Sequence, residues 1–228
     1  MRIGGLQKLT VQDFPGKVAC ILFTAGCNFR CPFCHNGDLV RPDWQPAPLP
    51  WEEVEAFLQK RRGLLDGVCI SGGEPMIQAG LEEKIVRIKE MGYAVKLDTN
   101  GSFPEKLRHL AGAGLIDYVA MDIKNSPEKY ARTAGLTDMD LTPIRESVDF
   151  LLQGGLPYEF RTTLVREFHT AADVLAIAHW IQGAEKYFLQ NYTDADTVLE
   201  RGLHGFTPAE LQDLAGQAAQ ILPTVQIR

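Results

Sequence analysis

The sequence of 228 residues contains no uninterrupted apolar run approaching the roughly 18 residues that a membrane-spanning helix needs. Its first 16 residues also lack the apolar centre of a signal peptide. Positive charge is in deficit, because 29 Asp and Glu residues outnumber 23 scattered Lys and Arg residues, for a formal net charge of -6. A basic stripe that could follow a phosphate backbone is absent. These absences predict a soluble, cytoplasmic protein with neither a membrane nor nucleic acid as a partner.

Cysteine is scarce: the chain has five, an odd number, and too few for a disulfide scaffold in a chain of this length. This scarcity favours a reducing compartment. Cys20 and Cys69 each lie alone in an apolar run, and we interpret them as buried core thiols, since free cysteine is among the most buried residue types. The other three, Cys27, Cys31 and Cys34, fall within eight residues and form the most distinctive pattern in the sequence.

Short apolar runs rich in β-branched residues alternate with segments of helical periodicity. The runs predict six strands, at 18–24, 68–71, 94–98, 118–123, 158–165 and 187–190. The periodic segments predict helices at 51–62, 80–91, 104–113, 142–153, 171–182 and 208–219. Such alternation implies parallel strands joined by helical crossovers, and we predict an α/β fold that forms a partial barrel of six strand-helix units.

We expect a single domain over residues 1–228. Within it, residues 1–16 form an N-terminal extension, residues 17–192 the barrel, and residues 193–228 a C-terminal helix and tail. Polar residues cluster where the predicted strands end, at 71–74, 98–100, 122–124, 161–163 and 190–191. In a β/α barrel the carboxyl ends of the strands share one rim. These clusters therefore predict one site at that rim.

The three clustered cysteines have the spacing CxxxCxxC and follow the first predicted strand. A cluster of four irons held by three thiolates keeps one iron without a protein ligand, open to a substrate or cofactor. Two alternatives remain at this point. His35 could complete a four-ligand zinc site in one short loop, and an electron-transfer cluster would need a fourth cysteine that is not nearby.

The pattern CxxxCxFC after a first strand, followed by Gly72-Gly73-Glu74-Pro75, resembles the radical S-adenosylmethionine (radical SAM) superfamily. The resemblance implies a 4Fe-4S cluster on the three cysteines, whose free iron is chelated by the methionine part of S-adenosylmethionine. Reductive cleavage of that cofactor gives a 5′-deoxyadenosyl radical. It also implies that Phe33 lies near the adenine and that Gly72, Gly73 and Glu74 bind the methionine amino group.

Further site residues follow from likeness to the pyruvate formate-lyase activating enzyme. In that enzyme, residues resembling Asp98, Asp122 and Lys124 surround the cofactor and a bound monovalent cation, which is expected here too. Arg161 could fork to a carboxylate of the cofactor, or form only a salt bridge at the strand edge. Gln190 stands where activating enzymes of the formate-lyase type have a histidine, and this difference counts against pyruvate formate-lyase as the partner.

Within the superfamily, Asp13-Phe14-Pro15-Gly16 and Cys34-His35-Asn36 resemble activating enzymes of glycyl-radical enzymes. The run at 158–163 and Leu189-Gln190 are similar to anaerobic ribonucleoside-triphosphate reductase activating proteins. This resemblance implies that a glycine of a large partner enzyme loses a hydrogen atom, that Asp13 helps to hold the glycine loop, and that a flavodoxin or ferredoxin donates the electron.

Three other interpretations stay open. The chain could activate a glycyl-radical enzyme of the pyruvate formate-lyase type, act on a small molecule as in deazapurine biosynthesis, or be a non-catalytic iron-sulfur protein. Many activating enzymes insert a module with a second cluster after the first. Only 33 residues, His35 to Gly67, separate Cys34 from the second predicted strand, and we therefore expect one cluster.

Overall fold

A computed structural model describes residues 1–41 and 47–228. Its described strands form one sheet in the order β1-β2-β3-β4-β5-β6-β7-β8. The strands are β1 (Ile3–Thr10), β2 (Ala19–Thr24), β3 (Gly67–Gly72), β4 (Ala94–Thr99), β5 (Tyr118–Asp122), β6 (Tyr158–Leu164), β7 (Tyr187–Asn191) and β8 (Val225–Ile227). β1 is antiparallel to β2, and every other neighbouring pair is parallel.

Helices connect the parallel strands and cover the outer face of the sheet. They are α1 (Gly37–Val40), α2 (Trp51–Arg61), α3 (Leu81–Glu90), α4 (Pro104–Gly112), α5 (Tyr130–Thr133), α6 (Thr142–Leu152), α7 (Ala171–Trp180) and α8 (Pro208–Ala219). Two of them begin at a capping box, formed by Thr170 with Asp173 and by Thr207 with Glu210. Their apolar faces join one large core with the outward side chains of the strands.

The predicted α/β fold is confirmed, and the six predicted strands are present as β2 to β7. The number of strands in the sheet was underestimated, because β1 and β8 add one strand at each edge. β1 lies within the predicted N-terminal extension, where Gly4 and Gly5 weaken the strand alternation of the sequence. In the structure, two irregularities interrupt its register with β2. β8 has only three residues, too few to show a period. In the described part of the chain β1 and β8 are not paired with each other, so the barrel is open between them.

Short elements were also missed by the sequence analysis. α1 and α5 have four residues each, and 3-10 turns lie at Pro75–Ile77 and Pro127–Lys129. One helical turn is too short to show a 3.6-residue period. Among the described helices, none combines the length and the apolar character that crossing a membrane requires.

The inner face of the sheet encloses a small second core at the amino ends of the strands. Phe14, in the loop between β1 and β2, is 2% exposed and packs against Ala19, Ile21, Cys69 and Tyr118. The rings of Phe14 and Tyr118 lie 6.1 Å apart. The loop therefore closes the lower end of the barrel, and the interior above it is available to polar side chains.

Replacing Phe14 with Ala should lower the free energy of unfolding by about 3 to 5 kcal/mol, because a buried aromatic ring leaves a cavity when it is truncated. Urea unfolding of the cluster-free protein measures this loss. Phe57→Ala is the matched control, since Phe57 is only partly buried and lies 5.7 Å from the Arg61 guanidinium. Equal losses in the two variants would contradict the assigned role of Phe14.

Candidate cofactor site

One cavity of about 400 Å³ lies at the carboxyl ends of the parallel strands. All thirteen site residues predicted from the sequence line it, namely Asp13, Cys27, Cys31, Phe33, Cys34, Gly72, Gly73, Glu74, Asp98, Asp122, Lys124, Arg161 and Gln190. The expected convergence of separate polar clusters on one rim is therefore present in the structure. Which of these side chains contact a cofactor stays a prediction.

The cysteine loop leaves β2 at Thr24 and folds tightly enough to turn three thiols toward the cavity. The Cys34 amide donates to the Cys31 carbonyl at 3.0 Å, and the Phe29 amide donates to Cys27 Sγ at 3.3 Å. Burial raises the pKa of Cys27 to about 11 and that of Cys31 to about 12, against the lowering effect of the Lys124 ammonium. These thiols hold their protons at neutral pH, and iron binding must displace them.

The arrangement of the thiols fits a multi-iron cluster better than a single zinc ion. A zinc ion needs its ligands to converge on one point, at about 2.3 Å for sulfur, whereas each cysteine of a cluster binds a different iron. Across residues 1–41 and 47–228, no three His, Cys, Asp or Glu side chains are grouped so as to hold one metal ion. Nε2 of His35 lies 2.7 Å from the Thr193 carbonyl, so this ring nitrogen has a partner elsewhere.

Amide side chains fasten the cysteine loop to the end of β4. Asn100 donates to Asn28 Oδ1 at 2.8 Å, and Asn28 donates to Ser102 Oγ at 3.0 Å. The Asn100 amide nitrogen also lies 4.0 Å from Cys27 Sγ. A side chain just beyond β4, two strands away from β2, therefore lies against the first cysteine.

The turn after β3 packs directly on the start of the cysteine loop, and it requires glycine. Gly72 has φ +109, and a Cβ there would lie 2.4 Å from the Thr24 nitrogen. A Cβ on Gly73 would lie 1.9 Å from the Gly26 carbonyl oxygen. The Gly73 amide donates to the Thr24 carbonyl at 2.8 Å. Both glycines therefore permit backbone contacts that any larger residue would block.

Glu74 is 1% exposed, and protein donors surround its carboxylate. It accepts hydrogen bonds from the Met76 backbone amide at 3.0 Å, the Thr99 hydroxyl at 2.9 Å and the Asn100 backbone amide at 2.8 Å. Burial raises its pKa from 4.5 to about 7, and these hydrogen bonds offset part of that rise. The side chain predicted to bind the methionine amino group thus has a structural task, the joining of the β3 turn to β4.

Charges of alternating sign line the inner face of the sheet below the cysteines. Arg161 donates through Nε to Asp122 Oδ1 at 2.9 Å and through Nη1 to Asp98 Oδ2 at 3.4 Å. Lys124 donates to the other Asp122 oxygen at 3.1 Å, and Lys96 donates to Asp98 Oδ1. Burial alone would raise the pKa of Asp122, but Arg161 and Lys124 outweigh it and hold that pKa at about 2.

Arg161 lines the cavity, and a fork from its guanidinium to a cofactor carboxylate stays a prediction. Its guanidinium bridges two carboxylates of the protein, so it orients Asp98 and Asp122. The strand-edge salt bridge considered from the sequence is therefore present, although it lies inside the barrel. Gln190 on β7 also lines the cavity, at the opposite side from the glycine turn.

Phe33 forms one wall of the cavity and is itself 4% exposed. Its ring packs 5.8 Å from that of Phe168 and 6.4 Å from that of His169. Nε2 of His169 lies 2.9 Å from the Lys124 carbonyl, and burial lowers the pKa of this histidine. A neutral His169 therefore supports both Phe33 and the backbone of Lys124.

Some residues of the site act through others and were not predicted. His169 stands in no motif of the sequence. Lys96 lies in an apolar strand two residues before Asp98, and this alternation was the available signal, because residues i and i+2 share one face of a strand. Ser71, whose hydroxyl donates to Asp98 at 2.9 Å, shares that inner face.

Asp13 lies deep in the site, at the lower end of the cavity. Its carbonyl accepts a hydrogen bond from Cys69 Sγ at 3.3 Å, and its carboxylate accepts one from the Thr10 hydroxyl. Cys69 is buried, as the sequence predicted, and so is Cys20. The segment from Asp13 to Phe14 therefore enters the barrel interior from below and faces the space beneath the cysteine loop.

Glu74→Gln should change how the free energy of unfolding depends on pH. Since the folded-state pKa of Glu74 is raised to about 7, the wild type gains stability below pH 4.5 and loses it as the pH rises through 7. Relative to the variant, the wild type should lose roughly 2 to 3 kcal/mol between pH 5 and pH 8. Urea unfolding at both pH values tests this, and parallel pH profiles would contradict it.

Comparison with known proteins identifies the superfamily of this chain. The profile of the radical SAM superfamily matches residues 21–181. A protein of Methanocaldococcus jannaschii, named provisionally as a glycyl-radical enzyme activating enzyme, is 29% identical over 245 positions, covering 99% of this chain and 95% of that one. A pyruvate formate-lyase-activating enzyme of Listeria monocytogenes is 29% identical over 176 positions, covering 72% of this chain and 68% of that one.

Among solved structures, Streptococcus suis SuiB bound to S-adenosylmethionine superimposes with a TM-score of 0.68 at 13% identity. The match covers 91% of this chain and 51% of that one, so the chain spans about half the length of SuiB, and the likeness shows the fold alone. The superfamily profile covers more than half of the chain and includes the cysteine loop, the glycine turn and the charged strand ends. This chain therefore belongs to the radical SAM superfamily, whose members are enzymes that use a 4Fe-4S cluster and S-adenosylmethionine.

Proposed function

We propose that this chain activates a glycyl-radical enzyme, and that its partner is an anaerobic ribonucleoside-triphosphate reductase. The observation that carries the proposal is the position of the segment from Asp13 to Phe14 inside the barrel, beneath the cysteine loop. This segment belongs to the pattern that resembles glycyl-radical activating enzymes. A polar side chain here faces the space where a hydrogen donor must lie.

The cluster is held by Cys27, Cys31 and Cys34 in this proposal. When bound, the reduced cluster would pass one electron, received from a flavodoxin or ferredoxin, to the sulfonium of S-adenosylmethionine, giving methionine and a 5′-deoxyadenosyl radical. That radical would take one hydrogen atom from the glycine α-carbon, giving 5′-deoxyadenosine and a glycyl radical on the partner. Cys31 and Phe33 are 7% and 4% exposed, whereas Cys27 and Cys34 are partly exposed. The buried side of the cavity thus shields the reacting groups from water.

Different groups of the chain can each recognise a different part of the cofactor. Gly72 and Gly73 bring backbone close to the methionine amino group, with Glu74 fixing the turn from behind. Lys124, whose ammonium has spare donors beyond its bond to Asp122, can face the methionine carboxylate. Phe33 can contact the adenine, and Gln190 can offer one neutral hydrogen bond from β7.

Entry of a glycine loop needs an opening, and the unpaired edges β1 and β8 provide one in the described part of the chain. A loop that enters there meets Asp13, whose carboxylate can accept hydrogen bonds from its backbone amides. A barrel closed by eight paired parallel strands would block that route. The open sheet therefore favours a macromolecular substrate over a small one.

Two observations bear on the choice of partner. The Methanocaldococcus jannaschii relative matches nearly end to end, which supports glycyl-radical activation in general. Gln190 replaces the histidine of formate-lyase activating enzymes, which favours the reductase. The Listeria monocytogenes relative supports the second candidate, activation of an enzyme of the pyruvate formate-lyase type.

The cellular setting and chain organisation are part of the proposal. All five cysteines are free thiols, as expected in a reducing cytoplasm. A flavodoxin or ferredoxin would supply the electron. We also propose that residues 1–228 act as one radical SAM domain, with the N-terminal residues contributing to its sheet through β1.

Replacing Cys27, Cys31 or Cys34 individually with Ala should abolish assembly of the cluster, because each thiolate binds a different iron. Iron and sulfide content after anaerobic reconstitution, with electron paramagnetic resonance of the reduced protein, measures assembly. Cys20→Ala is the control, since Cys20 is buried in β2 and does not line the cavity. Cluster loss in the control equal to that in the three variants would remove the ligand assignment.

The partner is tested by incubating the reconstituted, reduced enzyme and S-adenosylmethionine with the large reductase subunit and, separately, with pyruvate formate-lyase. The expected result is an organic radical signal on the reductase, with 5′-deoxyadenosine formed in equal amount. A signal only on pyruvate formate-lyase would select the second candidate. Deoxyadenosine without a radical on either protein would favour a small-molecule substrate, and no deoxyadenosine at all would favour a binding protein.

A further inference from the structure

Lys96 is the most deeply buried cation of the barrel interior that the structure describes. Its side chain is 1% exposed, and its ammonium donates to Asp98 Oδ1 from below the cavity. A buried ammonium is costly to desolvate unless a carboxylate pairs with it. Lys96 does not itself line the cavity. Its ammonium lies beneath the site and pairs with one residue of it, Asp98.

Both oxygens of Asp98 have donors supplied by the protein. Oδ1 accepts from Lys96, while Oδ2 accepts from Ser71 Oγ at 2.9 Å and from Arg161 Nη1 at 3.4 Å. The same is true of Asp122, whose two oxygens accept from Arg161 and Lys124. Each of the four oxygens of these two aspartates is therefore engaged by a cation or hydroxyl of the chain.

Within the ion-pair row itself, Lys96, Lys124 and Arg161 carry three positive charges, against two negative charges on Asp98 and Asp122. A metal cation added at Asp98 would meet the Lys96 ammonium on the same carboxylate, and like charges at such short range repel strongly in a buried site. The residues present do not fit the monovalent cation that the likeness to the formate-lyase activating enzyme implied.

We propose that the Lys96 ammonium takes the place of a monovalent metal cation at Asp98, so that this enzyme binds S-adenosylmethionine independently of sodium or potassium. Lys96 is then a positioning residue that acts through Asp98. The ammonium belongs to a side chain of β4 and is therefore always present at Asp98. A metal ion would have to bind there from solution. The inference rests on the proposed cofactor site and not on the identity of the partner.

The test measures the dissociation constant of S-adenosylmethionine with the reconstituted cluster-bound enzyme by equilibrium dialysis. Binding is compared in buffers of equal ionic strength made with potassium, sodium or choline, the last being too large to enter the site. The wild type should bind with constants that agree within about twofold across the three salts. Lys96→Met, which keeps the length of the side chain and removes its charge, should bind at least about tenfold more weakly in choline than in sodium or potassium.

Lys89→Met is the matched control, because Lys89 pairs with Asp117 on the outside of the barrel at 2.8 Å and should leave salt independence intact. A wild type whose binding falls tenfold in choline overturns the inference, as does a Lys96→Met variant that is salt-independent. Should that variant fail to fold, the wild-type series alone decides. No binding by the wild type in any salt would instead refute the proposed cofactor site.

Discussion

The rest of the site depends on the contact between the glycine turn and the start of the cysteine loop. The Gly73 and Glu74 amides donate to the Thr24 and Gly26 carbonyls, at 2.8 Å and 2.9 Å. The Glu74 carboxylate then reaches across to the end of β4. Three consecutive strand ends are thereby joined by short hydrogen bonds, and the cysteine loop cannot shift without disturbing all of them. Rigid support of this kind is what a reactive site needs, because small displacements of reacting groups are expensive.

The barrel interior is polar at a cost to stability, and that cost argues for function. Replacing buried ion pairs with well-packed apolar residues is often neutral or stabilising. This chain instead places Lys96, Asp98, Asp122, Lys124 and Arg161 along the inner faces of β4, β5 and β6 and just beyond. The apolar plug at Phe14 fills the lower end of the same interior. Strand alternation points these side chains into the barrel, and the position of Asp98 and Asp122 near the carboxyl ends of β4 and β5 places the charges where the cofactor is expected.

A feature of the molecule could be predicted when the residues that encode it lie in one short stretch of the sequence. The six central strands had apolar runs of sufficient length, and most of the predicted site residues lie at the ends of these strands, so all thirteen line one cavity. β8 has three residues, and β1 contains two adjacent glycines, the first of which allows close packing, since a Cβ on Gly4 would lie 2.4 Å from Leu39. The engagement of Arg161 with two carboxylates, and of Glu74 with three donors, depends on which strands are neighbours in space. No spacing along the chain carries that information.

Lys96 and Arg161 are positive charges that the fold itself places beside Asp98, so that the charge there does not depend on ions from solution. Arg161 links Asp98 to Asp122, and each aspartate receives a lysine on its other oxygen, which gives an unbroken row of opposite charges. Both carboxylates then stay ionised, because the flanking cations lower the pKa of Asp98 and of Asp122 despite burial. Of the two cations of this row that line the cavity, Arg161 bonds both aspartates, whereas Lys124 bonds only Asp122. The remaining hydrogen-bond capacity of Lys124 is therefore the part of this network that a bound carboxylate can use.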